Sequence, residues 1–226
     1  MKKIFSYIYI IMVCLALCGC AQKEYNYEGK ELIDKAAEIH TSYESADVTI
    51  SDGITDEVLQ GIEYRFEGEV MQYMYSAHLD GKDYYEYNNG TELNYITLPD
   101  ETEWSFAAKG TEGYYTYSKA SRHYFADGAQ LFADYEAAVA SSEIRDTGEQ
   151  MIVKLVYDTE KLSEYAAFRE YGDFKEFTMI FYIDKDGGNC IQFRNDYTSA
   201  DGTNYSYWVR MFERDANEPV KRIEIE

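Results

Sequence analysis

The chain has 226 residues, with 21 lysines and arginines against 42 aspartates and glutamates, and its formal net charge is −21. This acidity leaves no basic surface for a phosphate backbone, so nucleic acid is excluded as a partner. Hydrophobic residues make up 46% of the chain, well above the content of disordered proteins, and therefore predict a folded domain with its own core.

The N-terminal residues have the layout of a bacterial signal peptide. Lys2 and Lys3 form a short positive segment, and an apolar run over residues 4–17 follows it. The alternative, an uncleaved membrane anchor, is disfavoured because the run is shorter than the roughly 20 residues of a membrane-spanning helix. We therefore expect residues 1–19 to be removed from the mature protein.

The end of this run resembles the lipobox of bacterial lipoproteins. Leu17 and Gly19 stand at the branched-apolar and small-residue positions before Cys20, and Cys18 stands where serine or alanine is commoner. The resemblance implies that a signal peptidase recognises Leu17, Cys18 and Gly19, and that Cys20 becomes the lipidated N-terminus. Acyl chains such as palmitate would then hold the protein on the extracytoplasmic face of the cell membrane. Residues 20–29 are interpreted as the lipidated cysteine and a flexible tether.

Three helices are predicted from apolar residues that recur at helical spacing. The first covers residues 31–40, where Leu32, Ile33, Ala36 and Ile39 share one face. The others cover residues 131–139 and 159–168.

The rest of the chain favours β-strands separated by turn dipeptides. Strands are predicted over residues 45–50, 62–68, 69–79, 84–88, 93–98, 104–107, 114–119, 151–157, 176–183, 190–197, 204–212 and 220–225. Asp80-Gly81 and Asn89-Gly90 supply the positive φ of tight hairpins, so neighbouring strands should pair antiparallel. The predicted fold class is α+β, with one large curved antiparallel sheet, a half-barrel, and a few short helices covering one face. No linker interrupts residues 30–226, which are interpreted as a single domain.

The order of these elements resembles a known family. A helix, a tyrosine-rich meander, an inserted helix near residues 131–139, a strand–helix unit at residues 151–168 and a final meander that ends near Pro219 are similar to the lipoprotein-carrier half-barrels of the LolA/LolB/LppX type. The resemblance covers most of residues 30–226 and has no diagnostic motif. It implies an open barrel around helices, with acyl chains held between the two, and it transfers no ligand-binding residue by position.

Sequence patterns of catalysis are missing. His40, His78 and His123 lack the spacing of metal ligands, so neither a metal site nor a cofactor is predicted. Cys190 is the one cysteine outside residues 1–20 and is interpreted as a buried core residue rather than a nucleophile. Residues 184–189 begin like a calcium loop but lack the glutamate at position 12 of an EF-hand, so a hairpin turn is predicted. The chain is therefore predicted not to be an enzyme.

Tyrosine is the most unusual residue type, with 24 copies. Those crowded into the first and last meanders are Tyr73, Tyr75, Tyr84, Tyr85, Tyr87, Tyr95, Tyr114, Tyr115, Tyr117, Tyr124, Tyr205 and Tyr207, with Trp208 beside them. One interpretation is cross-strand packing with the hydroxyls in water. The other is an aromatic concave face that binds an apolar or carbohydrate ligand. Consecutive tyrosines such as Tyr84 and Tyr85 must point to opposite faces, so they cannot all line one pocket.

Two functions stay open for a membrane-anchored cell-surface lipoprotein. The first is a carrier or sensor of an apolar lipid or acyl ligand, held between the sheet and the helices at residues 32–39 and 131–139. It predicts a contiguous cavity of roughly 300–1,000 Å³. The second is a protein-interaction or envelope-sensing module, in which side chains fill this space and an exposed surface recruits an envelope protein.

Overall fold

The computed structural model describes residues 27–117, 135–165 and 173–225. The predicted signal peptide and lipobox lie outside these residues. The described chain contains helix α1 (Lys30–Ser42), a 3-10 turn at Glu136–Ala138 and helix α2 (Thr159–Leu162). The strands are β1 (Ser45–Asp52), β2 (Val58–Glu67), β3 (Val70–Leu79), β4 (Lys82–Asn88), β5 (Glu92–Leu98), β6 (Ser105–Ala108), β7 (Val139–Asp146), β8 (Gln150–Tyr157), β9 (Phe174–Asp184), β10 (Cys190–Ser199) and β11 (Asn204–Glu213).

All these strands belong to one antiparallel sheet. Their order is β6-β5-β4-β3-β2-β1-β11-β10-β9-β8-β7, so two meanders join where β1 pairs with β11. The sheet is not closed into a barrel, which fits the predicted half-barrel. It is richer in β-structure than the α+β prediction implies, because the helices of the described residues are short and few.

Both turns predicted at Asp80-Gly81 and Asn89-Gly90 join antiparallel strands, but at Asn89-Gly90 only the glycine has a positive φ, of 90°. Asp80 and Gly81 have φ angles of 53° and 73° and join β3 to β4, which confirms the two-residue hairpin. Residues 185–187 form the turn between β9 and β10, so the predicted hairpin replaces a calcium loop there.

Helix α1 confirms the first predicted helix and packs on β9 and β10. Ile33 and Ala36 are fully buried against the sheet. Gly29, at the N-cap, has a φ of 90°, and a Cβ there would lie 2.7 Å from Cγ1 of Val153. Glycine at this position therefore permits both the backbone conformation and the close approach of α1 to β8.

The helix predicted over residues 131–139 is wrong where it can be compared. Residues 131–134 lie outside the described residues, Glu136–Ala138 is a 3-10 turn, and Val139 begins β7, for which no strand was predicted. Strand β7 is an edge strand with mostly exposed, polar side chains, so the apolar alternation that marks a strand is missing. Of the helix predicted over residues 159–168, only Thr159–Leu162 is α-helical, and residues 166–168 lie outside the described residues.

The strand predicted over residues 114–119 is also wrong. Residues 114–117 have no regular secondary structure, and residues 118 and 119 lie outside the described residues. The segment instead bonds to the backbone of Met71, whose amide donates to the Tyr117 carbonyl at 3.0 Å.

The strand predicted over residues 220–225 is replaced by an irregular segment that crosses the sheet. Arg214 precedes it and pairs with Glu63 at 2.7 Å, and Val220 is buried. Arg222 then donates a hydrogen bond to Asn94 on β5 at 2.8 Å. Because this segment lies across a face of the sheet instead of along an edge, it has no strand to pair with.

The two faces of the sheet have different partners. The inner face carries α1 and two clusters of buried side chains. One cluster, under α1, includes Val153 and Phe181, and the other, on β1–β5, includes Tyr64 and Tyr73. The outer face carries residues 214–225.

Candidate functional site

The strand register gathers tyrosines on the inner face of β3, β4 and β5. Tyr75 pairs with Glu86, and Glu86 pairs with Tyr95, so these three side chains form one row across three strands. In the neighbouring row, Ala77 pairs with Tyr84, and Tyr84 pairs with Thr97. Side chains directly opposite each other in an antiparallel pair have Cβ atoms about 4.5–5.5 Å apart, so each row is a continuous surface.

These two rows line a groove of about 530 Å³. The small side chains of Ala77 and Thr97 leave the space, and tyrosines form its walls. Tyr95 and Tyr115 are 44% and 45% exposed, which shows that the groove opens to solvent.

Glu86 is the charged group of the groove. Its carboxylate oxygens accept hydrogen bonds from the hydroxyls of Tyr73 and Tyr115. Tyr73 is fully buried beneath Glu86, whereas Tyr115 is exposed. Burial, reinforced by the nearby carboxylate, raises the pKa of both tyrosines above the ordinary phenol value, so both stay protonated and donate.

Two hydrogen bonds between side chains and the backbone hold the segment around Tyr115 against the sheet. The side-chain amide of Asn88, at the end of β4, donates to the Tyr115 carbonyl at 2.7 Å. The hydroxyl of Thr116 donates to the Met71 carbonyl at 3.1 Å. Gly113, which also lines the groove, has a φ of 87°, and a Cβ there would lie 3.8 Å from that of Ala107 on β6. Tyr115 is therefore a fixed wall.

The space under α1 is filled. Ile33, Val153, Leu155, Met179 and Phe181 are buried there at 0–1% exposure. These side chains occupy the described part of the space in which the sequence predicts a cavity, between the sheet and the helices at residues 32–39 and 131–139, and residues 131–134 lie outside the described residues. A groove within the predicted range of volume lies on β3–β5, where Ala77 and Thr97 have small side chains.

The structure separates the predicted tyrosines into several groups. Tyr75, Tyr84, Tyr95 and Tyr115 line the groove. The register places the side chain of Tyr85 on the opposite face from Tyr84, as predicted, although Tyr85 also borders the groove. Tyr124 lies outside the described residues.

Other predicted tyrosines support the groove or lie away from it. Tyr87, on the outer face, donates to the Val220 carbonyl at 3.5 Å, and Tyr114 donates to the Gly90 carbonyl at 3.0 Å. The ring of Tyr117 lies 5.4 Å from that of Tyr73, between centroids.

The aromatic residues of β11 form a separate surface. Tyr205 and Tyr207 stack with Tyr197 on the inner face, with ring centroids 4.8 and 6.1 Å apart. Trp208 points to the outer face, between the guanidinium groups of Arg194 and Arg210.

The residues of the predicted lipobox are not among those that the structure describes. Leu17, Cys18, Gly19 and Cys20 lie outside the described residues, as does His123. No helix within residues 27–117, 135–165 and 173–225 is long and apolar enough to span a membrane.

The other two histidines and Cys190 have structural partners. Nε2 of His40 donates to the Cys190 carbonyl at 2.7 Å, and burial lowers the pKa of His40. His78 pairs with Asp83 at 2.7 Å on the surface. Cys190 is fully buried, which raises its pKa to about 12, so its place in the core is as predicted. Over the described residues, no group of three or more His, Cys, Asp or Glu side chains is placed to hold a metal ion.

No family model matches the chain, and no curated protein matches its sequence. Among solved structures, it is similar to LprF from Mycobacterium bovis, with 10% identity, a TM-score of 0.46 and coverage of 86% of this chain and 98% of that one. It is also similar to MucB in the MucA/MucB complex of Pseudomonas aeruginosa, with 10% identity, a TM-score of 0.38 and coverage of 84% of this chain and 59% of that one. A second MucB structure, in complex with MucA(peri), has a TM-score of 0.35 and 12% identity, and 58% of it is covered. The chain thus spans less than two thirds of the MucB chains. Likenesses with TM-scores below 0.5 assign no function to this chain.

Proposed function

We propose that the chain is a lipid-anchored, extracytoplasmic binding protein and that the groove on β3–β5 is its ligand site. The observation that carries this proposal is the groove itself, whose volume of about 530 Å³ is typical of small-molecule sites. Its walls are rigid aromatic rings held by a pleated sheet and a bonded backbone segment. Such a wall is ordered before the ligand arrives, which lowers the entropy lost on binding. The proposed role requires no catalytic step.

The ligand proposed for this groove has an apolar body. Tyr84, Tyr95 and Tyr115 line the groove, where a ligand would displace water from the apolar surface of their side chains. An acyl chain between α1 and the sheet is a poorer occupant, because Ile33 and Phe181 already fill that space. We therefore propose the groove on β3–β5 as the site of the apolar ligand expected from the sequence.

A protein-interaction or envelope-sensing module is the second candidate. The filled core under α1 favours it, since this function predicts that side chains occupy the inner face.

Native mass spectrometry distinguishes the two candidates. Residues 21–226 are purified without detergent and weighed before and after organic extraction. We expect an extra mass that extraction removes. Thr97→Trp, which places a large ring inside the groove, should abolish the extra mass. Thr49→Trp, on the outer face of β1, is the matched control and should retain it. A protein that stays bare when fatty acids and phospholipids are offered would favour the interaction module.

The membrane anchor is a proposal that rests on residues 17–20. Cys20→Ala removes the thiol that would be acylated and should move the protein out of the membrane fraction or leave it uncleaved. Cys18→Ala is the control, because alanine is common at that position of a lipobox and lipidation should persist. Detergent-dependent membrane attachment of a cleaved Cys20→Ala protein would contradict the anchor.

A further inference from the structure

We propose that the groove on β3–β5 recognises the ammonium group of an organic cation, with Glu86 as its counter-ion and the rings of Tyr84, Tyr95 and Tyr115 as its walls. This inference rests on the proposed function and names the chemical class of its ligand.

The charge of Glu86 has no cationic partner in the described structure. None of the described residues that line the groove is a lysine, arginine or histidine, and none of the ion pairs of the described residues involves Glu86. The two tyrosine hydroxyls that bond to Glu86 are neutral. They hold the carboxylate in place and leave its negative charge for a ligand to match.

The carboxylate of Glu86 keeps acceptor capacity beyond these two hydrogen bonds. An ionised carboxylate offers about four acceptor positions, and the structure shows two hydroxyl donors, from Tyr73 and Tyr115. A primary ammonium group has three N–H donors and would use the free positions.

The surrounding rings attract the same charge. A tyrosine ring is electronegative on its face, so several rings around one position stabilise a cation, and quaternary ammonium groups are bound in this way. The register places Tyr95 directly beside Glu86 and Tyr84 in the next row, while Tyr115 is bonded to Glu86. The anionic group and the aromatic walls therefore converge on one region of the groove.

Neutral and anionic ligands fit less well. A purely apolar chain over Glu86 would strip water from the carboxylate without supplying a hydrogen bond or a charge, which is unfavourable. An anion would be repelled by Glu86 and by the net charge of −21. An organic cation gains from both the carboxylate and the rings.

Isothermal titration calorimetry of the full chain, with small probes that differ in charge, tests this inference. The probes are choline chloride, ethanolamine hydrochloride and 3,3-dimethyl-1-butanol, the neutral isostere of choline, all at equal ionic strength set with potassium chloride. We expect choline or ethanolamine to bind at least about tenfold more tightly than the alcohol. Tighter binding of choline indicates a quaternary ammonium ligand, and tighter binding of ethanolamine indicates a primary amine.

Three variants locate the site. Glu86→Gln keeps an acceptor for Tyr73 and should weaken cation binding about tenfold while leaving the alcohol unchanged. Glu143→Gln, on the exposed edge strand β7, changes the net charge equally and should have no effect. Tyr95→Leu removes a wall at a solvent-exposed position and should weaken cation binding even if Glu86→Gln does not fold.

Each other outcome overturns the inference. Equal binding of choline and the alcohol would show that the groove binds a ligand without selecting cations. The proposed function would then hold, and the inference about cations would be wrong. Cation binding that is unchanged in both Glu86→Gln and Tyr95→Leu would place the cation elsewhere on this acidic surface. If no probe binds, a neutral ligand found by native mass spectrometry and lost in Thr97→Trp would preserve the proposed function, whereas a bare protein would overturn both.

Discussion

Glu86→Leu should destabilise the protein because it removes the hydrogen bond from Tyr73, whereas loss of the hydrogen bond from Tyr115 should have little effect. Both hydroxyls donate to the same carboxylate, but Tyr73 is fully buried and Tyr115 is 45% exposed. In the variant, the Tyr115 hydroxyl can turn to water. The Tyr73 hydroxyl loses its hydrogen bond to Glu86 and lies in the core.

The difference in burial between the rings of Tyr73 and Tyr115 determines how much stability each hydroxyl loses when its bond to Glu86 is removed. A buried hydroxyl that loses its acceptor costs about 1–3 kcal/mol, whereas an exposed hydroxyl exchanges the carboxylate for water at little cost. In a double-mutant cycle with phenylalanine, the coupling energy between Glu86 and Tyr73 should be about 1–2 kcal/mol. The coupling energy between Glu86 and Tyr115 should be below about 0.5 kcal/mol.

Urea unfolding followed by far-UV circular dichroism measures both coupling energies. The proteins needed are the wild type, Glu86→Leu, Tyr73→Phe, Tyr115→Phe and the two double variants. Similar m-values across the set make the midpoint shifts a measure of stability. Equal coupling of Glu86 to both tyrosines would refute the reasoning, because burial would then not determine the strength of these bonds.

Four further predictions concern the scaffold around the groove. Ile33→Ala empties a fully buried position between α1 and the sheet and should lower the free energy of unfolding by about 2–4 kcal/mol, measured with urea. Burial lowers the pKa of His40 below 6.5, so the stabilisation from neutral His40 should be complete above that pH and should be lost as the pH falls below it. His40→Gln should flatten this pH dependence of the free energy of unfolding, measured with urea at several pH values. Cys190 is buried and its pKa is raised to about 12, so a thiol reagent such as Ellman's should react only with unfolded protein, and rapid reaction under native conditions would contradict this. Arg214→Ala should speed hydrogen exchange in residues 214–225, because Arg214 pairs with Asp47 and Glu63 at the start of that segment, whereas Lys185→Ala removes an exposed pair with Asp146 and should not.

Local patterns predicted the parts of the fold that depend on neighbouring residues. Helix α1 was predicted because Ile33 and Ala36 repeat along one face, and the structure buries both. The β3–β4 hairpin was predicted because the dipeptide Asp80-Gly81 favours a positive φ, and the structure has a positive φ at both residues. These signals are contained within a few residues and need no knowledge of the rest of the chain.

Elements that depend on distant contacts were predicted poorly. Strand β7 has few apolar residues because it lies at the edge of the sheet, so its pattern is weak. Residues 220–225 alternate like a strand, but Val220 is buried on the outer face of the sheet, not within a ladder. The cavity was expected under α1, and the filling of that space by Val153 and Phe181 follows from which strands α1 crosses.

The groove shows how far local information extends. The two-residue turn pairs Leu79 with Lys82, and counting back from it along both strands places Tyr75 opposite Glu86. Alternation then puts Tyr84 on the same face as Glu86. The carboxylate was therefore accessible from the sequence as the acidic residue of β4 on that face, opposite Tyr75, although it was not predicted. The position of Tyr115 in the groove could not be predicted from the sequence, because the segment that carries it crosses the sheet and does not form one of its strands. The turn between two adjacent strands thus determines how they pair. The wall formed by Tyr115 depends on a long-range contact with Asn88, which local sequence patterns do not contain.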